Sequence, residues 1–179
     1  ELTSRNFYSN MAIKVIEEDS KGDIWLGTDL DGLFILSKEQ IKNIFDQRNF
    51  EADGFVFDQE YPDGVSSSNI TCFKEDDNGF MWVGTDVGLN RYDKDDQSFD
   101  HFFVQDGLPS NFITGLEIDN KDNLWISTKN GISILNLKDS TFVNYNYNDG
   151  IENIDFHKNS SDKSLEAVSY THLTLPTKA

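Results

Sequence analysis

Apolar and polar residues alternate along this chain in short runs, separated by clusters of Asp, Asn, Gly, Lys and Ser. Between residues 70 and 104 the runs are ITCFKE, FMWVGT, LNRYD and FDHFFV, divided by DDNG, DVG and KDDQS and followed by QDGLPS. Runs of this length, rich in aromatic and β-branched residues and bounded by turn formers, predict strands. Lys21-Gly22 and Asn78-Gly79 suit the positive φ of tight antiparallel turns, and Asp122-Asn123 serves further on.

The runs recur. Three segments read EEDSKGDIWLGTDLDGLFIL, KEDDNGFMWVGTDVGLNRYD and EIDNKDNLWISTKNGISILN. Asp19, Asp76 and Asp119 each precede a tryptophan (Trp25, Trp82, Trp125) by six residues. Thr28, Thr85 and Thr128 follow it by three, and Gly32, Gly88 and Gly131 come next, with one extra residue in the first copy. The second and third copies keep a 43-residue register, which also aligns Asp63-Gly64-Val65 with Asp106-Gly107-Leu108 and Asp149-Gly150-Ile151. The first interval is longer because of an insertion at residues 37–60.

Four short strands per repeat of about 40–45 residues is the pattern of a β-propeller blade. The predicted fold is therefore all-β, an incomplete propeller of about three four-stranded blades plus the start of a fourth. Residues 1–36 form the first blade, N-terminally truncated, and 37–60 an insertion with an outer strand. Blades follow at 61–104 and 105–147, and 148–167 begins another. From Val168 the repeat pattern stops, and VSYTHLTLPTKA resembles a translated transposon-based sequencing adapter, so 168–179 is read as not native.

Composition supports the turns and strands and narrows the partners. Asp outnumbers Glu 22 to 10, and Asn contributes 17 residues; both residue types suit turns. Lys plus Arg total 15 against 32 Asp plus Glu, a net charge of −17. Such an excess argues against nucleic acid and against anionic membrane surfaces, both of which call for clustered basic residues. The single Cys72 excludes an internal disulfide.

A tryptophan, aspartate and glycine repeated at one register in every copy are read as structural: the ring packs between blades, and the threonine bonds backbone at the strand end. Residues that vary between copies are the better ligand candidates. Strands that run up and down place the loops after the second and fourth strands of each blade on one face. There Asp86, Lys129, Asn130, Asn69 and Asn111 are the candidate ligand-binding residues. The acidic turns after Asp19 and Asp76 lack the alternating oxygen ligands and distal Glu of a calcium loop, so no metal site is expected. No catalytic constellation and no cofactor are expected either. His101 and His157 are isolated and read as solvent-exposed.

The pattern D-x2-[GD]-x2-W-[VIL]-[GS]-T-x2-3-G-[LI] resembles the two-component regulator propeller repeat. The linking stretch Asp106-Gly107-Leu108-Pro109-Ser110-Asn111 is similar to that family's inter-blade signature. The resemblance implies the extracytoplasmic, periplasmic sensor half of a hybrid two-component histidine kinase, with oligosaccharides as ligands. It implies further blades, downstream signalling domains of the same chain and a homodimer as partners. The chain itself carries no phosphoacceptor His box or ATP lid, so this segment is expected not to be an enzyme. Two rival readings stay open on the residues alone: a propeller lyase or hydrolase, and a protein-interaction scaffold.

Overall fold

The computed structural model describes residues 3–6, 12–46, 51–55, 64–151, 156, 161–163 and 169–171. Strands β1 (Thr3–Asn6), β2 (Ile13–Glu18), β3 (Ile24–Thr28), β4 (Leu33–Leu36) and β5 (Glu51–Phe55) form the first sheet, in the order β1-β5-β4-β3-β2, with helix α1 (Lys38–Asp46) between β4 and β5. The second sheet runs β6 (Ile70–Glu75), β7 (Met81–Thr85), β8 (Leu89–Asp93), β9 (Ser98–Phe102) in chain order. The third runs β10 (Ile113–Ile118), β11 (Asn123–Thr128), β12 (Gly131–Asn136), β13 (Phe142–Tyr145) in the same way. A two-stranded ladder of β14 (Ser161–Lys163) and β15 (Ser169–Thr171) follows. The β2-β3-β4-β5, β6-to-β9 and β10-to-β13 pairs are all antiparallel.

The fold is the nearly all-β array of propeller blades that the sequence predicts. The four apolar runs of the second repeat are its four strands. The insertion at 37–60 contains α1 and also β5, the fourth strand of the first blade. Ser37 starts the helix: its Oγ accepts from the Gln40 N–H at 3.2 Å while its own N–H donates to Gln40 Oε1 at 2.7 Å, a reciprocal cap. The first sheet departs from four strands, because β1 pairs with the outer edge of β5. Of the residues read as foreign sequence, Ser169–Thr171 pair with Ser161–Lys163, and the rest of 168–179 lie outside the described residues.

The core lies between sheets rather than within them. Trp25 from the first sheet packs with Phe73, Met81, Val83, Tyr92 and Phe99 of the second. Trp82 from the second packs with Leu116, Ile118, Leu124, Ile126 and Leu135 of the third. Each strand therefore turns its tryptophan side toward the following blade and its aliphatic side toward the preceding one, as the period-two alternation requires. The first strands β2, β6 and β10 come closest to one another across the blades. Phe156, 43 residues after Ile113 and so at the register of Ile70 and Ile113, is buried like them.

Two glycines make the close approach possible. A side chain on Gly27 would lie 2.6 Å from Ile70 of the next blade, and one on Gly84 would lie 2.8 Å from Ile113. In the third blade this position is Ser127, and the residue opposite it is Gly115, where the other blades have Val15 and Cys72. The small residue has changed strands, and the pair keeps a limited volume.

Gly84→Val is therefore expected to overpack against Cys72 and Ile113 and cost about 1–3 kcal/mol, read as a lower urea midpoint at an unchanged m-value.

Candidate functional site

Each blade is organised by the same polar clamp. The indole Nε1 donates to the aspartate Oδ2 at 3.0 Å for Trp25–Asp19, 2.9 Å for Trp82–Asp76 and 3.0 Å for Trp125–Asp119. The other carboxylate oxygen accepts backbone N–H groups two and four residues on: Lys21 and Asp23, Asn78 and Phe80, Lys121 and Asn123. One side chain thus shapes the hairpin turn and fixes the ring. The turn needs a left-handed residue, supplied by Gly22 and Gly79, and by Asp122 at φ 61° in the third blade. The threonine after each tryptophan closes the opposite end, donating to the carbonyl of Gly32, Gly88 or Gly131 at 2.8–2.9 Å.

Between the first and second blades the clamp carries a charged lock. Lys94, at the end of β8, donates to Asp19 Oδ2 at 2.9 Å and pairs with Glu75. Glu75 also accepts the N–H and hydroxyl of Ser20. Burial pushes the Lys94 ammonium down, but hydrogen bonds from it to Glu75 and Asp19 outweigh this and hold its pKa above the usual lysine value. Burial likewise pushes Asp19 up, while Lys94, Trp25 and the Asp23 N–H hold it below the usual carboxylate range. At the second interface Ile118 and Leu137 stand at these registers and join the apolar cluster around Trp82. The third clamp is completed from within, because the Asn123 amide donates to both oxygens of Asp119. Burial raises Asp119, but Trp125, the Asn123 amide and the backbone N–H groups of Asn123 and Lys121 prevail and bring it down to about 2.

Along the first strands Lys74 bonds Glu117 at 3.0 Å, between equivalent positions of adjacent blades. Glu17 holds the same position in the first blade; burial raises its pKa, Lys74 lowers it, and Glu117 and Glu75 raise it again, for a net upward shift.

The opposite face carries the candidate ligand residues. Asp86 accepts the Ser67 hydroxyl at 2.6 Å and the Asn69 amide at 2.9 Å, so two candidates meet in one contact. Asn111 accepts the Val104 N–H at 2.8 Å, and Asn130 donates to the Pro109 carbonyl at 3.1 Å. Lys129 is exposed, with its ammonium 4.7 Å from the centre of the Phe112 ring. Asp86 and Asn69 thus hold the loops between the first and second repeats. Asn111 and Asn130 hold those between the second and third, and Lys129 with Phe112 faces outward beside them.

Sequence reasoning missed Lys94, Glu75, Ser67 and Phe112. The first two carried a signal: they are a charged pair where the next copy has Ile118 and Leu137. His101, read as solvent-exposed, is half-buried with Nε2 2.7 Å from the Gly64 carbonyl oxygen; His157 lies outside the described residues. Among the described residues no cluster of three or more His, Cys, Asp or Glu is arranged to hold a metal, and no helix is long and apolar enough to cross a membrane.

A sequence family described as "Two component regulator propeller" matches residues 8–29, 64–87 and 107–130, the three tryptophan repeats. No curated protein matches the chain. Among solved structures, the extracellular domain of BT3049 from B. thetaiotaomicron, assigned as a hybrid two-component system, aligns with a TM-score of 0.72 at 24% identity, over 88% of this chain and 20% of that one. The extracellular domain of BT4673 from the same organism, also so assigned, aligns at 0.68 and 22% identity, over 95% and 25%. PorZ, a bacterial surface component of the type-IX secretion system of Porphyromonas gingivalis, aligns at 0.53 and 16%, over 87% and 29%. These likenesses show the fold, and the chain spans about a fifth to a quarter of the two B. thetaiotaomicron domains.

The clamps set the pH limits of stability. Asp119 titrates near 2 in the folded chain, against about 3.9 when unfolded. Its contribution is therefore complete above about pH 4 and lost as the pH falls toward 2. Asp119→Asn is expected to flatten that part of the acid-unfolding curve. Lys94→Ala leaves the buried Asp19 and the half-buried Glu75 without their cation and is expected to cost about 3 kcal/mol in denaturant titration.

Proposed function

We propose that this chain, whose three repeats match the two-component regulator propeller family, is part of the extracytoplasmic sensor propeller of a hybrid two-component histidine kinase and response regulator, with an oligosaccharide as its ligand. The extracellular domains of two-component systems that share its fold support the location and the role. The segment binds and does not catalyse. Its output passes through the remaining blades and the downstream signalling domains of a dimeric protein.

The observation that carries the proposal is the loop face. The repeats below it share the aspartate–tryptophan clamp, while the loops above differ from blade to blade. There an exposed ammonium lies over an aromatic ring, Lys129 on Phe112, beside the amides of Asn111 and Asn130. A ring face with hydrogen-bonding groups at its margin suits a sugar, which presents C–H groups on one side and hydroxyls around its edge. Lys129 and Phe112 contact the ligand in this reading. Asp86, Asn69, Asn111 and Asn130 position the loops that carry those contacts. Ligand binding biases the packing of the propeller against the next domain, because the bound arrangement is favoured by its differential affinity.

Calorimetric titration of the chain with a panel of oligosaccharides tests this. A hit is expected, and Lys129→Ala is expected to weaken it about tenfold, or about 1.4 kcal/mol. Asp86→Ala should weaken it as well, and Lys94→Ala, on the far face, should not. Absence of binding across the panel, or binding indifferent to Lys129, overturns the assignment.

A further inference from the structure

A pair of positions on the loop face changes its chemistry from blade to blade. The residue after the threonine cap is Asp29 in the first blade, Asp86 in the second and Lys129 in the third. The residue before the first strand is Asn69 in the second blade and, 43 residues on, Phe112 in the third. In the second blade the two positions form a closed pair. The Asn69 amide donates to Asp86 Oδ2 at 2.9 Å, and the Ser67 hydroxyl donates to Asp86 Oδ1 at 2.6 Å. In the first blade Asp29 pairs with Lys14 at 3.0 Å. In the third, both positions are replaced together, and the Lys129 ammonium stands 4.7 Å from the centre of the Phe112 ring.

The backbone around the pair is unchanged. Ser67 Oγ accepts the Asn69 N–H at 3.1 Å, and Ser110 Oγ accepts the Phe112 N–H at 3.1 Å. The Lys129 N–H donates to the Phe112 carbonyl at 3.2 Å, so Ser110 and Lys129 are both tied to the main chain of Phe112. The sign of the group has changed, and so has its satisfaction. Asp86 is half-buried and filled by two donors of the chain. Lys129 is exposed, and among the described residues no carboxylate pairs with it. An ammonium has three donors and no acceptor. The Ser110 hydroxyl therefore lacks the acceptor that its counterpart Ser67 finds in Asp86.

The rest of the loop face sharpens the contrast. Among the described residues of the loops after the second and fourth strands, Lys129 is the only basic one. Asp29, Asp86, Asp106 and Asp149 in those loops each hold a partner from the chain itself. The ring beside Lys129 offers its ammonium no oxygen, so those donors remain for a partner from outside.

We propose that Lys129 and Ser110, braced by Phe112, form a subsite for an anionic substituent of the ligand: the sugar carries a carboxylate or a sulfate ester, which accepts from Lys129 and Ser110 as Asp86 accepts from Asn69 and Ser67. This rests on the reading of the loop face as a sugar-binding face, and it adds the charge of the sugar. A charge-assisted bond to Lys129 supplies the preference, and the hydroxyl orients the anion. The net charge of −17 works against any general attraction of anions, so the preference is local to this lysine.

The test is calorimetric titration of the full chain with two matched pairs of sugars: trigalacturonate and its methyl ester, and a sulfated galactan tetrasaccharide and its desulfated form. In at least one pair the acidic member is expected to bind about tenfold more tightly than the neutral one, the worth of one charged hydrogen bond. A preference in the first pair alone assigns a carboxylate, and in the second alone a sulfate. Lys129→Ala should erase the difference, Lys129→Arg should keep it, and Ser110→Ala should reduce it about threefold. Phe112→Asn combined with Lys129→Asp rebuilds the pair of the second blade, and is expected to keep the Tm of the original chain while losing the acidic preference. Equal or tighter binding of both neutral members, or an acidic preference that survives Lys129→Ala, overturns the proposal. Neutral sugars that bind without an acidic preference, and bind more weakly to Lys129→Ala, overturn it and leave the sensor reading standing. Absence of binding by all four sugars overturns both.

Discussion

The bond from each tryptophan indole to the aspartate six residues before it is the contact on which the rest of the molecule depends. It is buried in the first two blades, where a polar N–H left without a partner would be costly. Satisfying it with a carboxylate that also accepts two turn N–H groups couples three things. The hairpin takes its shape, the ring is fixed to the end of the blade, and the ring's face is presented to the next blade. Every inter-blade core in the described residues is built on a ring held in this way.

The blades then differ in how they finish the aspartate. A lysine arrives from the neighbouring blade in one case, an apolar cover lies over the clamp in the next, and an asparagine of the same hairpin serves in the third. Charged partners taken out of water gain little net energy over well-packed apolar ones, so the alternatives can substitute for one another without change to the fold. What differs is specificity. An apolar interface accepts many neighbours, whereas the Lys94–Glu75 pair demands an open carboxylate in a defined place. The same division of labour explains the opposite face. Clamps and threonine caps hold the strand ends, so the loops beyond them are free to carry different side chains in each repeat. A binding face can vary there without disturbing the core.

Much of this was legible in the sequence. The 43-residue register, the aspartate–tryptophan spacing and the four apolar runs fix the blades, because strand period and turn chemistry are local properties of the chain. The five candidate ligand residues do fall in the loops that the alternation of strands assigns to one face. Helix α1 was not legible: its residues lie in a stretch read only as an insertion, and its apolar side acquires meaning only against Leu26, Phe34 and Leu36. The fifth strand of the first sheet was missed for the same reason, since pairing of β1 with β5 joins segments about 45 residues apart.

The residues of the chain alone specify the blade, its turns, its clamp and the likeness of its repeats to the two-component regulator propeller pattern, because each is encoded within about 40 contiguous residues. Tertiary structure decided the rest. It showed that Asp86 and Asn69 spend their polar atoms on each other and on Ser67, while Lys129 extends over Phe112. It showed that Lys94 completes a clamp 75 residues earlier in the chain. Those outcomes depend on which blade lies beside which. A repeat encodes its own shape many times over, but the contact between two repeats is written in two distant places and read only when they meet.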